Sequence, residues 1–345
     1  MKIFLFVLNS FLISTLLCLL VKKVCYKVGF LDIPNKRSSH IKPTALSGGI
    51  GFLTSFFMIL VVIFWGELNL YSWIFLSIFC LAGISLFDDV RPLSSSIRFA
   101  LQILVASILY FEGFALKSID IPGLIIPLDA GLSLIATVFF ILSLINIYNF
   151  MDGIDGYAAG TGICFCLFFS AAFYAFGDTN SSLVCLVLAS TLCGFLVFNF
   201  PKASLFMGDV GSATLGCIFA ILSIKFTQLP ISSIKGYSNS IVVPMIVLGV
   251  FILDASTTLL IRAYKKEKFW KPHRSHFYQK LNRINWTHKK IISIEYLHTL
   301  FNCLIAFIWI LGDFQIQVLC ILIFVIVFLL KFSYIQKKFN KKELV

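Results

Sequence analysis

The chain has 345 residues, 59% of them hydrophobic, a formal net charge of +12 and a mean hydropathy of +0.96. Charged residues make up only 13%, against about 25% in soluble domains. This excludes a soluble globular enzyme and predicts a polytopic membrane protein; no soluble basic domain or nucleic-acid motif accompanies the positive charge, so DNA and RNA are not expected partners.

Apolar runs of about 18 residues or more predict spanning helices. About eleven occur, at residues 3–21, 48–65, 70–87, 97–115, 130–149, 157–176, 181–199, 210–228, 240–261, 294–311 and 314–331. The expected class is therefore all-α, with residues 1–345 forming a single membrane-embedded domain. Only Lys2 precedes the first run and no small-residue cleavage pattern follows it, so it reads as a retained helix. Nine of the ten Cys fall inside apolar runs, where a thiol is a small hydrophobe, and no C-x-x-C pair is present. Residues 119–130, "IDIPGLIIPLDA", are too short and Pro-broken to span and predict an outer-face hairpin or re-entrant piece.

Basic residues accumulate on the cytoplasmic side of membrane proteins. With the N-terminus outside and the C-terminus inside, 24 of the 28 Lys and Arg fall in inner loops, ten of them in the loop 262–293. That orientation uses no acidic residue, yet it places five carboxylates, Asp88, Asp89, Asp152, Asp155 and Asp209, at the inner membrane surface.

In chain order, the polar motifs begin with "GFLDIPNKRSSHIKPTALSGGIGF" after the first run, where Arg37 or Lys42 could reach a phosphate or simply mark the inner side. "FDDV" places Asp88 beside Asp89, either as a solvated helix end or as a pair relieved by a divalent cation. "NFMDGIDG" sets Asp152 and Asp155 three residues apart, sharing a face if helical, with glycines that admit close approach of a ligand. In "FMGDVGS", Asp209 is either a helix N-cap or a metal ligand. "KPHRSHFYQK" sets His273 and His276 around Arg274, with Lys271 and Lys280 beside them. No third ligand completes a zinc site, and basic groups with imidazoles suit a phosphate or diphosphate, unless the loop only touches anionic lipid. Asp254 lies inside the ninth run with no partner visible in the sequence.

Carboxylates with Mg²⁺ and a cation-rich loop suit phosphoryl transfer, which is mostly positioning and charge neutralisation. An acceptor with its tail in the bilayer and its phosphate at the carboxylates explains why such chemistry sits on eleven helices. The ordered set "LDIPNKRSSHIKPTALSGGIGF", "FDDV", "NIYNFMDGIDG", "FMGDVGS" and the histidine motif resembles the polyprenyl-phosphate N-acetylhexosamine-1-phosphate transferases, glycosyltransferase family 4, over about residues 29–285. The resemblance implies transfer of a HexNAc-1-phosphate from a UDP-sugar (GlcNAc, FucNAc or QuiNAc) to undecaprenyl phosphate in the bacterial inner membrane, with release of UMP. It implies Mg²⁺, with Mn²⁺ as a substitute, and it admits a homodimer. It makes Asp209 the metal ligand and Asp88 the base toward the lipid phosphate, or a nucleophile in a two-step route. Asp89 would assist; Asn149, Asp152 and Asp155 would hold the nucleotide sugar; Lys42 would lie near the phosphates. The muramoyl-pentapeptide transferases of peptidoglycan synthesis carry adjacent histidines where this chain has "HRSHFYQ", so the resemblance leans to the O-antigen and common-antigen initiators. Two other classes fit less well. An intramembrane aspartyl protease needs Gly-x-Gly-Asp, and Phe206 replaces its first Gly; a transporter would carry midplane charges and internal repeats.

Overall fold

The computed structural model describes residues 2–34, 42–230, 239–268 and 273–343; Arg37 and Lys271 lie outside them. All-α architecture follows from the apolar runs, because a backbone in lipid must satisfy its own hydrogen bonds. Among the described residues, eight helices are long and apolar enough to cross a membrane. They are α1 (Lys2–Val28), α3 (Leu68–Val90), α5 (Ala130–Met151), α6 (Tyr157–Ala175), α7 (Thr179–Asn199), α8 (Asp209–Thr227), α12 (His288–Leu311) and α13 (Phe314–Glu343). Two shorter apolar helices are α2 (Gly49–Ile63) and α4 (Ser95–Phe111).

The ninth expected run is two helices, α9 (Val242–Val247) and α10 (Gly249–Tyr264), broken at Leu248. Gly249, just past the break, receives the Phe324 ring of α13, which a Cβ would meet at 2.4 Å. A short helix, α11 (Phe277–Arg283), follows the histidine motif. Residues 118–127 form an antiparallel hairpin, β3 (Ser118–Ile121) and β4 (Leu124–Pro127), pairing Ser118 with Pro127.

Helix α8 is the axis of the fold. Of its most apolar stretch 89% is buried, against 17% for α1 and 11% for α13, whose leucines and isoleucines face outward. Lipid tails solvate an outward leucine, so burial in a membrane bundle is decided by close packing. The small residues of α8 let α2, α3 and α5 approach. A Cβ on Gly49 would lie 2.4 Å from the Gly211 nitrogen, and one on Gly216 would lie 2.5 Å from the Leu144 carbonyl oxygen.

At one end of this bundle α3 and α5 finish while α6 and α8 begin, so all five carboxylates meet there. The loop after α1 is tied over the same end. Its strands β1 (Leu31–Asp32) and β2 (Thr44–Ala45) pair, Phe206 N–H donates to the Ala45 carbonyl at 2.8 Å, and Gly48 N–H to the Phe206 carbonyl at 2.7 Å. The β3–β4 hairpin marks the other end, where Gln228 donates to the Gly113 carbonyl at 2.8 Å.

Candidate active site

The N-terminus of α8 organises the site. Its first N–H groups have no partner within the helix, and Asp89, arriving at the end of α3, accepts two of them. Asp209 N–H reaches Oδ1 at 3.0 Å and Val210 N–H reaches Oδ2 at 3.4 Å, while Ser47 Oγ donates to Oδ2 at 2.9 Å. The helix dipole favours the charge there. The N-cap position itself is Gly208, at a positive φ of 75° with extended ψ of 166°, and a Cβ would meet Asp89 Oδ2 at 2.7 Å. Asp209 is thus not the cap of its helix, and its side chain is left to face other groups.

Those groups are Asn149 and Arg98. Asn149 Nδ2 donates to Asp209 Oδ2 at 3.2 Å, and Ser212 Oγ holds the Asn149 amide by donating to its Oδ1 at 2.7 Å. Arg98, from the first turn of α4, pairs with Asp88 Oδ2 at 2.7 Å and lies 3.6 Å from Asp209 Oδ2. Asp88 also accepts the Leu93 N–H at 2.6 Å. "FDDV" is therefore not a solvated helix end: the adjacent carboxylates turn to different partners. Sequence reading missed Arg98 and Ser47. Their only signal was a basic or hydroxyl residue near a motif.

"MDGIDG" is a tight turn. Helix α5 ends at Met151, Gly156 is left-handed at φ 76°, and Asp152 and Asp155 do not share a helical face. Asp155 turns to the Ala203 N–H at 3.1 Å and to His288 Nδ1 at 3.2 Å. Asp152 looks toward the other acids. Burial first, then the charges of Asp209, Asp89 and Asp155, push its carboxyl up to about 7.

The histidine motif closes onto this turn. Tyr278 donates to the Phe150 carbonyl at 3.1 Å and lies against Gly153, where a Cβ would be 2.1 Å from the phenol oxygen. His276 is buried, with Nδ1 3.1 Å from Asp254 Oδ1. Asp254 also accepts the Phe277 N–H at 2.9 Å, which caps α11 and supplies the partner that the sequence did not reveal. His273 is half-buried, its ring 4.8 Å from that of His276. Burial, then His276 and Arg262, lower its imidazole to about 4, so it is neutral at pH 7. Arg274 is half-buried near Tyr278. Lys42 is exposed on the loop before β2 and forms no ion pair among the described residues.

Among the described residues, no three His, Cys, Asp or Glu side chains converge as a metal cage. Mg²⁺ does not need one, since it takes one or two protein carboxylates and completes its shell with water and substrate phosphates. Asp209 fits that requirement: its side chain is 35% exposed and sits among further carboxylates.

Comparison with known proteins decides the family. Residues 71–227, which run from α3 through α8, match the pattern described as Glycosyl transferase family 4. A probable undecaprenyl-phosphate N-acetylglucosaminyl 1-phosphate transferase of Bacillus subtilis (strain 168) is 30% identical over 295 residues, covering 84% of this chain and 80% of the relative. The chain belongs to glycosyl transferase family 4. Family members similar to it include a decaprenyl-phosphate N-acetylglucosaminephosphotransferase of Mycobacterium tuberculosis (strain H37Rv), 28% identical over 80% of this chain and 75% of the relative. A phospho-N-acetylmuramoyl-pentapeptide-transferase of Clostridium acetobutylicum is 29% identical over 88% of this chain and 97% of the relative. As a family 4 enzyme with helices at this hydropathy, the chain is a multi-pass membrane sugar-phosphate transferase.

Proposed function

We propose that the enzyme transfers an N-acetylhexosamine-1-phosphate from a UDP-sugar to undecaprenyl phosphate at the cytoplasmic face of a bacterial inner membrane. The lipid phosphate oxygen forms a new bond to the phosphorus of the sugar phosphate. The bridging P–O bond to the uridylate breaks, and UMP leaves with the electron pair. The carrying observation is the gathering of Asp88, Asp89, Asp152, Asp209 and Arg98 at the ends of membrane helices, in a chain that resembles transferases named for polyprenyl phosphates.

In this reading Asp209 holds Mg²⁺, for which Mn²⁺ substitutes; the ion, when bound, neutralises diphosphate charge. Arg98 holds Asp88 beside Asp209, so that Asp88 serves as base, or in a two-step route as nucleophile, toward the lipid phosphate. Asp89 fixes the start of α8 and, through it, Asp209. Asn149, Asp152 and Asp155 shape the nucleotide-sugar side, while His273 and Arg274 close over the diphosphate, held in place by the buried His276 and Asp254, with Lys42 at the rim. The sugar is taken to be N-acetylglucosamine or a 6-deoxy relative (FucNAc or QuiNAc), and the product to start an O-antigen type polymer. A second reading, the pentapeptide substrate, is favoured by the Clostridium relative, but the separated histidines of "HRSHFYQ" weigh against it. Purified protein incubated with undecaprenyl phosphate and UDP-GlcNAc, UDP-FucNAc, UDP-QuiNAc or UDP-MurNAc-pentapeptide tests this. Release of UMP with one of the first three is expected. Turnover of the pentapeptide substrate alone establishes the second reading, and no UMP with any of the four overturns both.

A further inference from the structure

Helix α8 carries only two charged residues, Asp209 at its start and Lys225 in its last turn. They are separated by about 24 Å along the helix axis, so Lys225 lies near the opposite membrane interface, at the end marked by the β3–β4 hairpin. It is one of the four basic residues that the inner loops do not account for, and an ionisable side chain in a spanning helix calls for a partner. Its ammonium makes no hydrogen bond or ion pair among the described residues. The negative end of the helix dipole favours a cation there but leaves its three donors unused.

Lys225 lines a cavity of about 240 Å³ between α2, α3, α7 and α8. Phe57 and Leu60 of α2, Ile74 and Phe75 of α3, and Ile221 and Leu222 of α8 make its walls largely apolar. The Phe57 and Phe75 rings meet edge-on, with centres 5.9 Å apart, and join two of those walls. An apolar cavity of about 150 Å³ already takes up benzene, so this one admits a length of hydrocarbon chain. An empty apolar cavity forfeits dispersion contacts, and in a bilayer the hydrocarbon at hand to restore them is an acyl chain.

The polar end of the cavity holds one group of each sign. Asp178, the N-cap of α7, lines it together with Lys225, and the two form no ion pair with each other. Asp178 Oδ1 accepts the Ser181 N–H at 3.0 Å and Oδ2 accepts from Ser181 Oγ at 2.8 Å. A carboxylate offers about four acceptor positions, so Asp178 has capacity for a further donor. Lys225 alone would suit any phosphate. With Asp178 beside it, a purely anionic headgroup is repelled, whereas one that carries a primary ammonium next to its phosphate meets both charges. The phosphate accepts from Lys225 and the ammonium donates to Asp178; a quaternary ammonium has no N–H to donate.

We propose that this cavity is a lipid site, distinct from the transfer site, which takes an acyl chain of phosphatidylethanolamine with the headgroup between Lys225 and Asp178. A ligand that binds only the folded state raises its stability, so the thermal midpoint of the full-length protein reads occupancy. It is measured in lipid-free maltoside micelles with added phosphatidylethanolamine, phosphatidylglycerol or phosphatidylcholine of identical acyl chains. Phosphatidylethanolamine should raise the wild-type midpoint at lower concentration than the other two. Lys225→Gln should weaken its apparent affinity at least about tenfold. Asp178→Asn keeps a side chain that caps α7 and should abolish the preference, so that phosphatidylglycerol protects at least as well. Lys117→Gln removes an exposed cation from the same end of the bundle and should leave affinity and preference unchanged. A wild type that does not prefer phosphatidylethanolamine, unchanged affinity in Lys225→Gln, a preference retained by Asp178→Asn, or an equal loss in Lys117→Gln overturns the proposal.

Discussion

Asp152 shows how one residue reports on the whole site. Its carboxyl rises from the ordinary 3.8 to about 7, first through burial and then through the neighbouring acids. Below pH about 4 the group is protonated in both folded and unfolded chains, and its protonated form is no burden. Between about 4 and 7 the unfolded chain ionises while the folded one keeps its proton, so stability falls as pH rises through this window. Asp152→Asn removes the titration and keeps the shape. Its thermal midpoint should exceed that of the wild type above pH 7 in EDTA, with a flatter profile between pH 5 and 7. Identical profiles for the two proteins would show that neither burial nor the neighbouring acids raises this carboxyl. Arg98 is the counterweight: with Asp88 at 2.7 Å and Asp209 at 3.6 Å it is the cation that bridges the two acids.

At the scale of elements, the histidine loop works through α11. Asp254 caps that helix and holds His276, and Tyr278 carries the position onward to the turn at Gly153. The two histidines should therefore fail differently. His276→Ala removes a buried partner of Asp254, so turnover should fall at least about tenfold together with a loss of about 1–3 kcal/mol in stability. His273→Ala empties a half-buried position whose Nδ1 has no partner among the described residues. It should lose turnover to a similar degree with little change in thermal midpoint, while Lys289→Ala, exposed on α12, should change neither. UMP release and thermal unfolding of equal amounts of purified protein separate these outcomes. If His273→Ala keeps full turnover, the imidazole is not part of the phosphate clamp.

These contrasts also mark what the sequence could reveal. Apolar runs are long and local, so each expected span falls on helix. The break at Leu248 was not read from the run, although Pro244 before it and Gly249 just past it are local helix breakers. The acids and histidines stood out as polar residues in an apolar chain. Arg98 and Ser47 did not, because an arginine in the first turn of a helix or a serine in a loop is ordinary until packing brings it to a carboxylate. Asp152 and Asp155 were read as sharing a face. The turn instead sends Asp155 to Ala203 and His288, residues that no local pattern links to it.

For the molecule as a whole, function depends on helix ends being collected at one membrane face around a nearly fully buried α8. In the proposed reading, the charge bias of 24 basic residues in 28 puts that face in the cytoplasm, where nucleotide sugars are present, and the lipid phosphate would reach it from within the bilayer. Sealed vesicles of known orientation test chemistry and sidedness together. Inverted vesicles given labelled UDP-N-acetylhexosamine and undecaprenyl phosphate should form labelled, solvent-extractable lipid and release UMP. Right-side-out vesicles should do neither until permeabilised. Asp209→Asn should cut the rate in inverted vesicles at least about 100-fold, and EDTA should abolish it until Mg²⁺ is restored. Equal labelling in intact right-side-out vesicles, or full turnover by Asp209→Asn, would contradict a cytoplasmic transfer site built on the start of α8.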